Sequence, residues 1–150
     1  MNQVQRKPGV VIPEKIIIKD VKITNAQVNS TSEIEGGWEE VEMNISTKSL
    51  FSGDVACRVI FTVVMEKKDE NDQILIGATF TIEFDFEIEN LNDFRTHSSD
   101  VDHPVQIDRN LGVALMGIVY STARGIVLTR TAGTVLDGII LPVIDPSTIL

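Results

Sequence analysis

Two histidines, His97 and His103, stand in a polar stretch with Asp93, Asp100 and Asp102. Imidazole and carboxylate groups can bind a divalent cation, but metal sites demand particular ligand spacings, and these residues match none of them. The stretch reads as a solvated loop, and no metal or cofactor is expected. Ser121 lies in Tyr120-Ser121-Thr122-Ala123 without the flanking glycines of a nucleophile elbow. Glu83, Asp85 and Glu87 alternate with apolar residues. That spacing puts all three on one strand face in water, whereas general acid–base work favours a partly buried carboxyl with a displaced pKa. Cys57 has no histidine near it in sequence and reads as a small core residue. Gly36-Gly37 stands alone, so no phosphate-binding loop is present. These groups together describe a chain that is not an enzyme.

The elements that carry them are mostly strands. Val41, Met43 and Ile45 alternate with Glu40, Glu42, Asn44 and Ser46, the period of a sheet with one buried face. Residues 55–66 continue the alternation. Ile74, Ile76, Ala78, Phe80, Ile82, Phe84, Phe86 and Ile88 form the longest apolar series. A strand of that length spans roughly 45–50 Å at about 3.3 Å per residue, so a bulge or bend near Gly77 is expected. Residues 15–26 read as an opening strand with Ile17, Val21 and Ile23 on one parity. From about 106 to 132 the period becomes helical: Ile107, Leu111, Leu115 and Ile118 recur at spacings of three and four. Pro104 suits a first turn and Gly133 a C-cap. Gly117, Ser121 and Gly125 recur every four residues, a narrow stripe where another backbone could approach.

The expected architecture is α+β: a four-stranded antiparallel sheet, drawn as a meander, with one face covered by a long C-terminal helix. Residues 1–14 form an N-terminal arm and 15–150 a single domain.

The charge and composition narrow the partners. A formal net charge of −9, with no cluster of Lys and Arg, argues against nucleic acid as a ligand. A hydrophobic fraction of 43% argues against disorder and leaves apolar surface for self-association or a partner. One cysteine excludes a disulfide within the chain and fits a reducing compartment. The apolar stretch 111–128 is broken by glycines and by Arg124, so a cytoplasmic protein is expected, without membrane insertion.

Several short segments resemble one family in order and spacing. Ile17-Ile18-Lys19-Asp20-Val21 resembles the opening strand of the SecB-type export chaperones. Trp38 with Val41-Glu42-Met43-Asn44-Ile45 resembles their tryptophan and second strand. Gly53-Asp54-Val55, Ala123-Arg124 and Leu141-Pro142-Val143-Ile144-Asp145-Pro146 resemble later segments. The resemblance covers 15–150 and marks the chain as similar to a divergent SecB-like member. It implies a dimer of dimers that binds unfolded preproteins in apolar grooves and keeps them competent for translocation by a SecA-type motor.

On that resemblance, Trp38, Val41, Met43, Ile45, Ile76, Ala78 and Phe80 line the client-binding groove. The same residues would equally pack under the helix as ordinary core. Asp20, Glu83, Asp85 and Glu87 form an acidic face for docking the motor, although Thr24 and Thr79 stand where motor-binding members carry glutamate. Gly117, Ser121 and Gly125 form an oligomer interface. Two other readings fit the sequence: a SecB-like chaperone dedicated to another partner, such as a toxin–antitoxin pair, or a module that binds a small apolar ligand between sheet and helix.

Overall fold

The computed structural model describes residues 9–30, 40–97 and 105–150. Four long strands dominate it: β1 (Ile16–Ser30), β2 (Glu42–Ser52), β3 (Ala56–Lys68) and β4 (Ile74–Ile88). A short ribbon follows, β5 (Arg95–His97) paired with β6 (Val105–Ile107), and then one long helix, α1 (Arg109–Thr131). This is the expected α+β class, with a four-stranded antiparallel sheet and a C-terminal helix.

The strand order is β1-β4-β3-β2, with every pair antiparallel. Only β2, β3 and β4 form a meander. β1 lies on the far side of β4, a Greek-key order that needs a long connection. Period-two patterning specifies which face a residue takes and says nothing about which strand is its neighbour. The simple meander is corrected on that point.

Alternation in β3 and β4 is nearly complete. Cys57, Val59, Phe61, Val63 and Met65 are buried on one face, as are the even-numbered residues from Ile76 to Ile88. α1 adds Leu111, Leu115, Met116, Val119, Tyr120, Ala123 and Val127 to the same core. Phe61 and Tyr120 meet edge to face across this layer, with ring centroids 6.1 Å apart. Leu136, Ile139 and Leu141 close the core from the chain beyond the helix.

The helix starts later than its apolar period suggests. Ile107 belongs to β6, and Asp108 caps the helix by accepting the amide of Asn110 at 2.8 Å. Ile118 is half-buried, and the inward stripe runs instead through Met116 and Val119. At the other end Gly133 takes φ +78°, the left-handed position that favours glycine after a helix. Pro104 lies outside the described residues.

β1 departs most from its expected parity. It carries one extra residue against β4 between Ile18 and Asp20, and another between Ile23 and Asn25. Each bulge reverses the parity that follows it. Ile17 therefore pairs with Glu87 on the open face, whereas Val21 and Ile23 pair with Phe84 and Ile82 on the covered one. The irregularity expected near Gly77 lies two residues earlier, where Lys67 opposes Ile76 and Lys68 opposes Ile74. Of the N-terminal arm, residues 1–8 lie outside the described residues, while Val11 packs on the core.

Candidate functional site

The sheet register brings most of the expected groove residues into adjacent rows. Ile45, Val63, Phe80 and Ala26 form one row across all four strands, and Met43, Met65, Ala78 and Val28 form the next. Their accessibility differs sharply. Val41, Met43 and Ile45 are half-buried, because β2 is an edge strand with no neighbour on its outer side among the described residues. Ile76, Ala78 and Phe80 are 0, 3 and 1% exposed, because β4 is an inner strand flanked by β1 and β3. In this chain those three are core, and of the expected groove residues that are described only Val41, Met43 and Ile45 keep partial exposure. Trp38 lies outside the described residues.

Among the described residues no helix or second layer covers the opposite face of the sheet. Asp20 opposes Asp85 and Lys22 opposes Glu83, so the four expected carboxylates do share this face. They are not a bare acidic platform. Arg58 on β3 makes two hydrogen bonds to the Asp85 carboxylate, at 2.7 and 3.0 Å, and lies 3.8 Å from Glu83. Lys19 is 3.6 Å from Glu87, and Lys22 is 3.4 Å from Asp20. Three cations on neighbouring positions thus offset four carboxylates. Hydrogen bonding to Arg58 holds the Asp85 carboxyl below its ordinary range, and the same bond raises Arg58. The cations come from β1 and β3, so the alternation of β4 alone could not reveal them.

At one end of this face a cavity of about 440 Å³ is lined by Lys19, Leu50, Val55, Arg58 and Glu87. Cys57 also borders it, but burial, and secondarily Asp85, pushes the thiol up to about 12. A thiol held protonated is a poor nucleophile. Among the described residues no group of three or more His, Cys, Asp or Glu is placed to share a metal ion. His103, Asp100 and Asp102 lie outside the described residues.

The small-residue stripe on α1 divides in two. A side chain added at Gly117 would meet Pro146 at 3.8 Å, so that position faces the chain's own C-terminal segment. Ser121 is exposed, and a side chain at Gly125 would meet nothing within 4 Å. α1 is also long and apolar enough to cross a membrane by length and composition, yet its inward stripe is packed on the sheet.

The C-terminal segment is a feature that strand and helix periods do not register. Tyr120 donates its hydroxyl to the Pro142 carbonyl at 2.6 Å, and Arg124 Nε donates to Leu141 at 3.0 Å. Beyond them Asp145 caps a short turn, Pro146–Ile149, by accepting the amide of Ser147. That turn lies between α1 and β2: the Thr47 hydroxyl donates to the Ile149 carbonyl, and Leu150 sits over Gly112. The signal available in the sequence was Gly112, a glycine five positions before the stripe begins at Gly117.

No family model matches this chain, and no curated protein matches it by sequence. Its fold does match solved structures. One is a SecB-like chaperone of Mycobacterium tuberculosis in complex with a ChAD peptide from the HigA1 antitoxin. The match covers 87% of this chain and 91% of that one, with a TM-score of 0.54 and 14% sequence identity. The chain therefore has a SecB-like fold.

Proposed function

We propose that this protein is a non-enzymatic, cytoplasmic chaperone that holds unfolded polypeptide against the helix-side edge of its sheet. One observation carries the reading: Val41, Met43 and Ile45 present a half-buried apolar strip along β2, a strand with no neighbour on its outer side among the described residues, within a SecB-like fold. A chaperone needs accessible, adaptable apolar surface to accept many sequences, and methionine suits that use. Trp38, five residues before Met43 in sequence, belongs to the same expected client-binding set. Ala78 and Phe80 continue the strip's rows across β3, buried on the same face of the sheet.

Two client classes remain from the sequence. General export would add docking to a SecA-type motor through Asp20, Glu83, Asp85 and Glu87. The alternating charges of that face favour a partner that brings both signs. Service to a dedicated partner is supported by the solved neighbour, which binds an antitoxin peptide. The open position of Ser121 and Gly125 on α1 supports a self-association surface there. Replacing Gly125 with leucine should then lower the oligomer mass seen by light scattering.

The direct test is binding to a permanently unfolded polypeptide, reduced and carboxymethylated α-lactalbumin, with native α-lactalbumin as control. Selective binding of the unfolded form is expected. Met43→Asp with Ile45→Asp should weaken it by about tenfold or more, since two buried aliphatic contacts are lost. Equal binding of both forms, or indifference to the double substitution, would remove the reading.

A further inference from the structure

The segment after Pro142 is held in two unequal ways. Leu141 is fully buried, and the backbone at 141 and 142 accepts hydrogen bonds from Arg124 and Tyr120. Val143 is then 83% exposed, and beyond it no residue is fully buried, although Ile144 and Ile149 pack partly buried against the core. Pro146 rests on Gly117, the Ile149 carbonyl accepts one hydroxyl from Thr47, and Leu150 reaches Gly112 while 52% exposed.

The seat itself is shaped for an aliphatic side chain. Gly112 gives up its Cβ position entirely: a side chain there would stand 2.7 Å from Leu150 Cδ2. Leu150 does not fill the space. A cavity of about 320 Å³ remains beside it, lined by Phe51, Ile107, Leu115 and Gly112 together with the polar Ser49, Asp108 and Arg109. The apolar walls at Phe51, Ile107 and Leu115 favour an apolar occupant, and the unfilled volume leaves room for a larger one than Leu150.

We infer that the groove between α1 and β2 is a self-occupied peptide-binding seat. Residues 146–150 hold it as a latch, and a short aliphatic segment of another polypeptide enters by displacing them. The ligand class is a peptide bearing adjacent branched aliphatic residues behind a turn, the chemistry of Pro146-Ser147-Thr148-Ile149-Leu150 itself. This inference rests on the client-binding reading for its biological use, though the seat can be tested apart from it. Self-occupancy lowers apparent affinity by the fraction of time the seat is open.

The test loosens the latch in the full chain with Ile149→Ser and Leu150→Asp together. A fluorescent peptide of residues 143–150 should bind the loosened protein, measured by anisotropy, and bind the native protein about tenfold more weakly, as for a seat open about a tenth of the time. Adding Gly112→Leu to the loosened protein fills the notch from the helix side and should abolish peptide binding. Failure of the peptide to bind a loosened protein that is folded by circular dichroism overturns the inference. If the double variant does not fold, Leu150→Ala removes only the side chain over Gly112 and serves the same comparison. Carboxymethylated α-lactalbumin should bind the loosened protein more tightly than the native one. If peptide binds and unfolded protein is ignored by both, the seat stands and the chaperone reading falls.

Discussion

The two faces of one sheet obey different rules. On the covered face, β3 and β4 bury almost every alternate side chain. On the open face, Arg58, Asp85, Glu83, Lys19, Glu87, Lys22 and Asp20 interleave into a ladder of ion pairs. The backbone period is the same on both. The covered face is fixed strand by strand, because any apolar residue suits it. The open face is fixed only by register, because each charge needs a partner on the adjacent strand.

The sharpest way to break this contrast is at the centre of the covered face. Phe80→Ala should cost about 3–5 kcal/mol, the range for emptying a buried phenylalanine. Met43→Ala, on the half-buried edge, should cost clearly less. Urea denaturation monitored by circular dichroism checks both. Equal costs would mean that the edge strip is as much core as β4, and that no accessible groove exists.

The next largest effect depends on pH. Burial raises the Cys57 thiol from 9.0 to about 12 in the folded chain. The folded state therefore binds this proton more tightly than the unfolded state does. Its contribution is intact below pH 9 and is lost as pH rises toward 12, at up to about 1.4 kcal/mol per pH unit. Cys57→Ala should flatten that alkaline decline, measured as urea midpoints at pH 8 and pH 10.5. An unchanged slope would mean that the thiol reaches water.

Much of the covered side was legible beforehand, for physical reasons that separate the cases. The series from Ile76 to Ile88 could be read because the strands on both sides demand apolar residues at every second position, whereas Ile74, before the bulge, is exposed. β1 could not, because the bulges at Ile18/Asp20 and Ile23/Asn25 depend on pairing with β4. Ile17 was assigned to the wrong face for that reason alone. The start of α1 was misplaced because Ile107 fits both a helical repeat and the end of β6. Parity places the described residues of the candidate groove on one face, but their accessibility depends on which strand is inner and which is edge. Strand order, with β1 beside β4, is not written in any single strand. The seat at Gly112 was missed because it joins two segments far apart in sequence.

The C-terminal segment offers a more modest test of the covered side. Tyr120→Phe removes the hydroxyl that binds the Pro142 carbonyl. The expected loss is about 1 kcal/mol, the net value of one hydrogen bond, since the ring still fills its place against Phe61. A loss several times larger would show that this one bond fixes the whole segment.

Arg58→Ala should have the smallest effect on stability, and it probes the open face. The ion pairs there are solvent-exposed, and such pairs add little to folding. The urea midpoint should be unchanged within error. The electrostatics should change plainly. Losing one cation takes the formal net charge from −9 to −10 and leaves Asp85 and Glu83 without their guanidinium. The Asp85 carboxyl, now held low by that partner, should titrate closer to its ordinary value of 3.8, which nuclear magnetic resonance can follow. Attraction to a basic polypeptide should rise, and it should weaken more steeply with salt than in the native chain. A protein that instead unfolds on losing Arg58 would show the ladder to be structural, and would erase the distinction between the two faces.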